Sequence, residues 1–213
     1  MAYTANMAAL LSGASQSQLR YWRQSHKGEA PLLVPEHGTR PHALYSYRDV
    51  LVLRMFARLR GEVSLQTIRR AVTWMEEHLA DGQDLSERTL LAVPEKKSIV
   101  YFSEDGEFLD VGKAPGQYGH QAVMRDLFRP FTNRRGDLVP DLTHPASGLL
   151  VDPDIRGGVP VVEGTRITYN LLAGLARDGL ALAEIREFYP GVSAEAVKGA
   201  TELAGRVAYA HAA

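Results

Sequence analysis

A mainly helical α+β fold, with a small β-hairpin region between a helical head and a helical tail, is predicted from this 213-residue sequence. Three observations carry the prediction. Capped apolar segments with steps of three and four occupy both ends of the chain. One central stretch alternates β-branched and aromatic residues about an Asp-Gly turn. The charge divides at the same place: residues 1–80 carry one Lys and nine Arg against six acids, about +4, whereas 81–213 carry fourteen basic and nineteen acidic groups, about −5. The predicted units are a head over 1–80, a β-hairpin and connecting region over 81–148, and a three-helix module over 149–213.

In the head, residues 5–11 read as a short helix, Gly13 as the turn after it, and Ser15 as the N-cap of a second helix to residue 24. Leu19 and Trp22, three apart, face inward with Leu10 and Leu11. Residues 27–42 form a loop or wing with a short strand expected at 32–34. Ser46 caps a helix to residue 58, with Val50, Leu53 and Phe56 on its buried stripe, and Gly61 ends it. Ser64 caps a fourth, in which Leu65, Ile68, Val72, Met75 and Leu79 form a seam that packs on its own domain or on a second subunit.

In the middle, SIVYF and EFLDVG flank SEDG as a hairpin, and residues 121–128 are the one helix candidate of the stretch that follows. The tail begins with a turn-rich segment containing the buried strand VPVV. Helices are expected over 169–177, 182–188 and 194–209, punctuated by Gly179, Pro190 and the cap Ser193.

Composition excludes several functions. With no cysteine there is neither a disulfide nor a thiolate metal site, and the seven histidines show no ligand spacing, so no metal or cofactor is expected. The opening MAYTANMAALLSGASQ lacks a basic region and a long apolar run, and no stretch reaches membrane-spanning length, so a soluble cytoplasmic protein is expected. No nucleophile stands beside a base, and an enzyme is not expected. Asp137, Asp141, Asp152 and Asp154 lie beside Pro and Gly, where Asp usually forms turns.

A short helix, a glycine turn and a second helix with polar residues on its first turn make the helix-turn-helix plan, whose second helix enters the DNA major groove. Gln16, Ser17 and Gln18 are then candidates for base edges, Arg20 and Arg23 for phosphates or guanine, and Tyr21 for a phosphate. SGASQSQLRYW resembles the start of the MerR-type winged-helix domain, with its S-x-x-x-L-R-Y-Y pattern. RPHALYSYRDVLVLRMFARLRGEVSLQTIRRAV resembles the wing and next two helices of that family. The resemblance implies DNA contacts from Arg20, Tyr21 and Arg23, from Arg40 on the wing, and from Arg48. Trp22 stands where the family has a second tyrosine, which exchanges a phosphate contact for packing.

GGVPVVEGTRIT and the thirty residues after it resemble a small domain-of-unknown-function family with a G-x-P-V-x-x-G-T-R-I signature. That resemblance implies a three-helix, helix-turn-helix-like module found in VapB-type antitoxins. A MerR-like head joined to such a tail resembles antitoxins paired with a PIN-like ribonuclease toxin. The expected protein is therefore a DNA-binding, autorepressing antitoxin, a homodimer on double-stranded operator DNA. Arg134, Arg135, Arg156 and Arg166 are candidates to enter the toxin's acidic pocket. The alternative is a one-component, ligand-sensing regulator with its pocket in the hairpin region. In structural terms, Arg166 is expected to pair with Asp152 or Asp154, and Ala196, Gly199, Ala200 and Ala204 to admit a close neighbour.

Overall fold

A computed structural model describes residues 2–25, 28–78, 90–93, 98–102, 108–111, 117–118 and 127–212. The expected α+β architecture is present. In the head, α1 (Ala5–Ser12), α2 (Gln16–Trp22), α3 (Tyr47–Glu62) and α4 (Leu65–His78) surround a core, and β1 (Tyr3–Thr4) pairs antiparallel with β2 (Leu44–Tyr45). Four strands follow as an antiparallel meander: β3 (Leu90–Val93), β4 (Ser98–Phe102), β5 (Phe108–Asp110) and β6 (Gln117–Tyr118). Two small antiparallel pairs come next, β7 (Phe131–Thr132) with β8 (Leu138–Val139), and β9 (Leu149–Leu150) with β10 (Val161–Val162). Helices α5 (Tyr169–Arg177), α6 (Leu182–Phe188) and α7 (Ala194–Ala212) complete the tail.

The expected hairpin pairs Val100 with Asp110 and Phe102 with Phe108, while its SEDG turn lies outside the described residues. Two expectations are corrected. No strand forms at 32–34; the Leu32 and Leu33 N–H groups both donate to the Trp22 carbonyl and close the end of α2, leaving no ladder. The helix expected over 121–128 is absent where described, at 127 and 128, because the Leu127 and Phe128 carbonyls turn toward Arg54. Residues 121–126 lie outside the described set. Helix α3 also continues past Arg58 and through Gly61, stopping where Val63 becomes extended.

Arg54 organises the molecule. Its side chain is fully buried on α3 and donates to the carbonyls of Leu11, Leu127, Phe128, Arg129 and Pro140, with the guanidinium 5.1 Å from the Phe131 ring centroid. Five oxygens from two distant segments thus share one donor group, so the chain over 127–140 is bound to the head. The tail is joined separately. Tyr3 Oη donates to the Gly158 carbonyl at 2.5 Å, and a Cβ on Gly158 would meet that hydroxyl at 2.5 Å and Tyr47 at 2.9 Å. Only glycine permits that approach, and φ of 82° suits it as well.

Parts of both surfaces considered for a second subunit are buried inside the chain. Ile68 and Val72 of α4 are buried in the head, and Ala196 and Ala200 of α7 are buried against the chain. A Cβ on Gly199 would overlap the Ser147 carbonyl, which explains the small residues of α7 as an intramolecular fit. The side chain of Met75 and all of Leu79 lie outside the described set.

Candidate nucleic-acid interface

Local sequence dictates how α2 is presented. Thr4 caps α1 by accepting from the Met7 N–H, and Gly13 ends it in the left-handed region at φ 79°. Ser15 then opens α2 with a reciprocal cap: its hydroxyl accepts from the Gln18 N–H at 3.1 Å, and the Gln18 Oε1 accepts from the Ser15 N–H at 2.7 Å. Behind the helix, Leu19 and Trp22 are buried, and Trp22 meets Phe56 of α3 edge to face at 5.8 Å. In front, Ser17, Arg20, Tyr21 and Gln24 are exposed at spacings of three, four and seven, one continuous polar stripe.

The candidate residues divide by their commitments. Arg20 and Ser17 lie on the open stripe, although the Ser17 hydroxyl is 2.8 Å from that of Ser15. Gln16 Nε2 donates to Asn6 Oδ1 at 2.8 Å, and the Gln18 carbonyl is held by the cap, so neither amide has its full complement of groups for a base edge. Arg23 is half-buried and donates to the Tyr45 hydroxyl at 3.3 Å. Arg40 is exposed in the loop before β2, and Arg48 is exposed on the first turn of α3. That loop is fixed to α3 by Asp49, whose Oδ2 accepts from the Ser46 and Glu36 N–H groups at 2.8 and 3.0 Å. Burial pushes the Asp49 carboxyl up, and these backbone donors oppose the shift.

Arg69 of α4 escaped the sequence reading. It lies 5.9 Å from the Tyr21 ring centroid, pairs with Glu29 at 3.2 Å and donates to the Ala30 carbonyl at 3.0 Å, so it supports Tyr21 and the chain after α2 together. Its signal was present as the arginine of S-L-x-x-I-R, one step off the apolar seam. Its partner is forty-eight positions away, which periodicity does not reveal.

The four arginines considered for an acidic pocket do not converge. Arg134 and Arg135 form the turn of the β7–β8 hairpin, whereas Arg156 and Arg166 share a turn of the tail, where Arg156 Nε donates to the Arg166 carbonyl at 3.3 Å. The expected Arg166 pair with Asp152 or Asp154 does not form. Asp152 is instead occupied by its own backbone, accepting from the Asp154 N–H at 2.9 Å, and Asp141 likewise accepts from the Thr143 and His144 N–H groups.

A cleft of about 760 Å³ opens beside the start of α2, with Leu10, Gln16, Leu138, Val139, Arg206 and Tyr209 in its walls. Arg206, although on the tail, donates to the Leu138 carbonyl at 3.2 Å and so stands near the interface. Among the described residues, no helix is long and apolar enough to cross a membrane.

Two comparisons define the class of each unit. Residues 3–73 match the MerR HTH family regulatory proteins, and residues 150–204 match a protein family of unknown function, DUF433. The head is a MerR-family helix-turn-helix domain, as in DNA-binding regulators, and the tail is a DUF433 domain. The whole chain is similar in fold to the crystal structure of Rv2018 from Mycobacterium tuberculosis, with a TM-score of 0.52 at 14% identity over 93% of this chain and 96% of that one. No curated protein matches the sequence.

Proposed function

We propose that this protein is a sequence-specific DNA-binding regulator and, within that class, the antitoxin of a type II toxin–antitoxin pair that neutralises a PIN-like ribonuclease and represses its own operon. The observation that carries the DNA reading is the stripe of Ser17, Arg20 and Tyr21, open in front of a helix anchored by Leu19 and Trp22. The antitoxin part rests on the resemblance of a MerR-like head with a signature-bearing tail. In it the chain has no catalytic role, and Arg156 and Arg166 are the toxin-facing arginines. The protein acts as a homodimer, because two recognition helices read two half-sites. The dimer uses a surface other than Ile68, Val72, Ala196 and Ala200, which are buried within the chain.

The test has two arms. Titration of duplex DNA from the region upstream of the gene should show Arg20→Ala weakening binding by about 1–3 kcal/mol, while Arg177→Ala on the tail leaves it unchanged. Co-expression with the adjacent gene product should give a co-purifying complex whose ribonuclease activity appears on dissociation. Equal effects of the two substitutions contradict the DNA surface; an adjacent product without ribonuclease activity contradicts the antitoxin part alone.

The 760 Å³ cleft favours a second reading, a regulator that senses a small molecule, since that volume suits a drug-sized ligand and its wall includes the first turn of α2. A ligand that raises the melting temperature and changes DNA affinity together would support it.

A further inference from the structure

The β7–β8 hairpin is not part of the matched head, which ends at residue 73, yet it is mounted on the helix-turn-helix turn. Asn133 is buried and its Nδ2 donates to the Gly13 carbonyl at 3.0 Å. Its Oδ1 accepts from the N–H groups of Arg135 and Asp137 at 2.9 and 3.0 Å, which fixes the shape of the turn. A Cβ on Gly13 would overlap Val139, so the hairpin rests directly on the bend between α1 and α2.

This mounting gives the two arginines of the turn opposite outlooks. Arg135 lines the cleft that also contains Ser15 and Gln16, the start of α2. Arg134 lines a second cleft of about 710 Å³ together with Arg58, Arg129 and Glu62. Asn133 is common to both clefts, so the hairpin forms the ridge between them. Two carboxylates stand nearby: Asp137 pairs with Arg135 at 2.8 Å, and Glu62 lies in the second cleft. Arg134 has no acidic partner among the described residues. Arg60, on α3, is lowered from its usual pKa by burial first and then by the nearby charge of Arg134.

We propose that Arg134 and Arg135 hold DNA backbone phosphates beside the major groove read by α2, so that this hairpin serves as a second DNA-contacting element. A major groove is about 12 Å wide, and an element separated from α2 only by a cleft meets the phosphates at its edge. The bond from Asn133 to Gly13 makes the arginines move with the recognition helix, which is the property a positioning contact requires. An acidic protein surface could be held by the same guanidinium groups. The attachment to the helix-turn-helix bend favours DNA.

The inference rests on the DNA-binding reading, and the experiment separates the two. Full-length protein is titrated with a labelled 30-base-pair duplex of unrelated sequence over a range of salt, as wild type, R134A/R135A, R134K/R135K and R20A. Both hairpin residues are exposed turn positions, and thermal melts confirm folding. The expected result is a weaker complex for R134A/R135A, on the order of tenfold, and a slope of log affinity against log salt reduced by about 2, with the lysine pair retaining the wild-type slope. An unchanged slope in R134A/R135A, with R20A still weakened, overturns the hairpin contact and leaves the function standing. Loss of adjacent-gene-product binding in R134A/R135A without any change in slope assigns the arginines to a protein and also overturns it. Wild-type protein that binds no duplex overturns both.

Discussion

Helices α2 and α7 use their side chains in opposite ways. Helix α2 commits two large residues, Leu19 and Trp22, to the core and leaves Ser17, Arg20 and Tyr21 in front. Helix α7 commits small residues, with Ala196 and Ala200 buried and Gly199 closed against the Ser147 carbonyl. A helix held by bulky anchors from behind keeps its front face, with Arg20, open to solvent. One held by close backbone approach has been fitted to its own chain. The same division appears in charge, with about +4 over residues 1–80 and about −5 over the rest.

Substitutions should separate the parts of this contrast, beginning with the bond between head and connector. Arg54→Met keeps the bulk but leaves five carbonyls without their donor, and should destabilise the whole chain by about 3–5 kcal/mol in urea unfolding, since each unsatisfied buried group is costly. A loss under 1 kcal/mol would mean that water takes over these carbonyls and that the head is independent of residues 127–140.

Gly199→Val should cost about 2–3 kcal/mol, because the α7 backbone must retreat from Ser147 and overpacking strains the tail. DNA affinity should persist at temperatures where the variant remains folded. Equal loss of DNA binding and stability would show the tail supporting α2 directly.

The smallest effect concerns the clasp between the units. Tyr3→Phe removes one hydrogen bond to the Gly158 carbonyl and should cost about 0.5–1.5 kcal/mol near neutral pH. Burial, then neighbouring Tyr47, pushes the Tyr3 phenol above its ordinary value of about 10. The neutral phenol therefore stabilises the fold fully below that value, and its contribution is lost as pH rises through the folded-state pKa. Wild-type stability should fall more steeply above about pH 10 than that of Tyr3→Phe, and parallel curves would exclude Tyr3 as the titrating group.

Much of the helical framework was legible in the sequence because it is locally determined. The caps Ser15, Ser46 and Ser193 and the turn glycines Gly13 and Gly179 each act within a few residues, and the helices they bound start where the pattern placed them, with α2 stopping two residues earlier and α3 and α7 running about a turn further. What was not legible depends on long-range acceptors. The predicted strand at 32–34 yields to a bond with Trp22, and the predicted helix end at 127–128 yields to Arg54, seventy-three positions away. In the candidate interface, the exposure of Arg20 and Tyr21 on one face of α2 was readable from spacing. The capture of Gln16 by Asn6 and of Gln18 by its own cap, and the support of Tyr21 by Arg69, were not.

Side-chain oxidation by hydroxyl radicals, with and without duplex DNA from the upstream region, tests the central claim most directly. Tyr21 on α2 is 41% exposed and Phe188 on α6 is 71% exposed, so both react in the free protein. If α2 lies in the groove, DNA should suppress oxidation of Tyr21 while Phe188 reacts as before. Protection of Phe188 with Tyr21 unchanged would put the DNA on the tail and contradict the account.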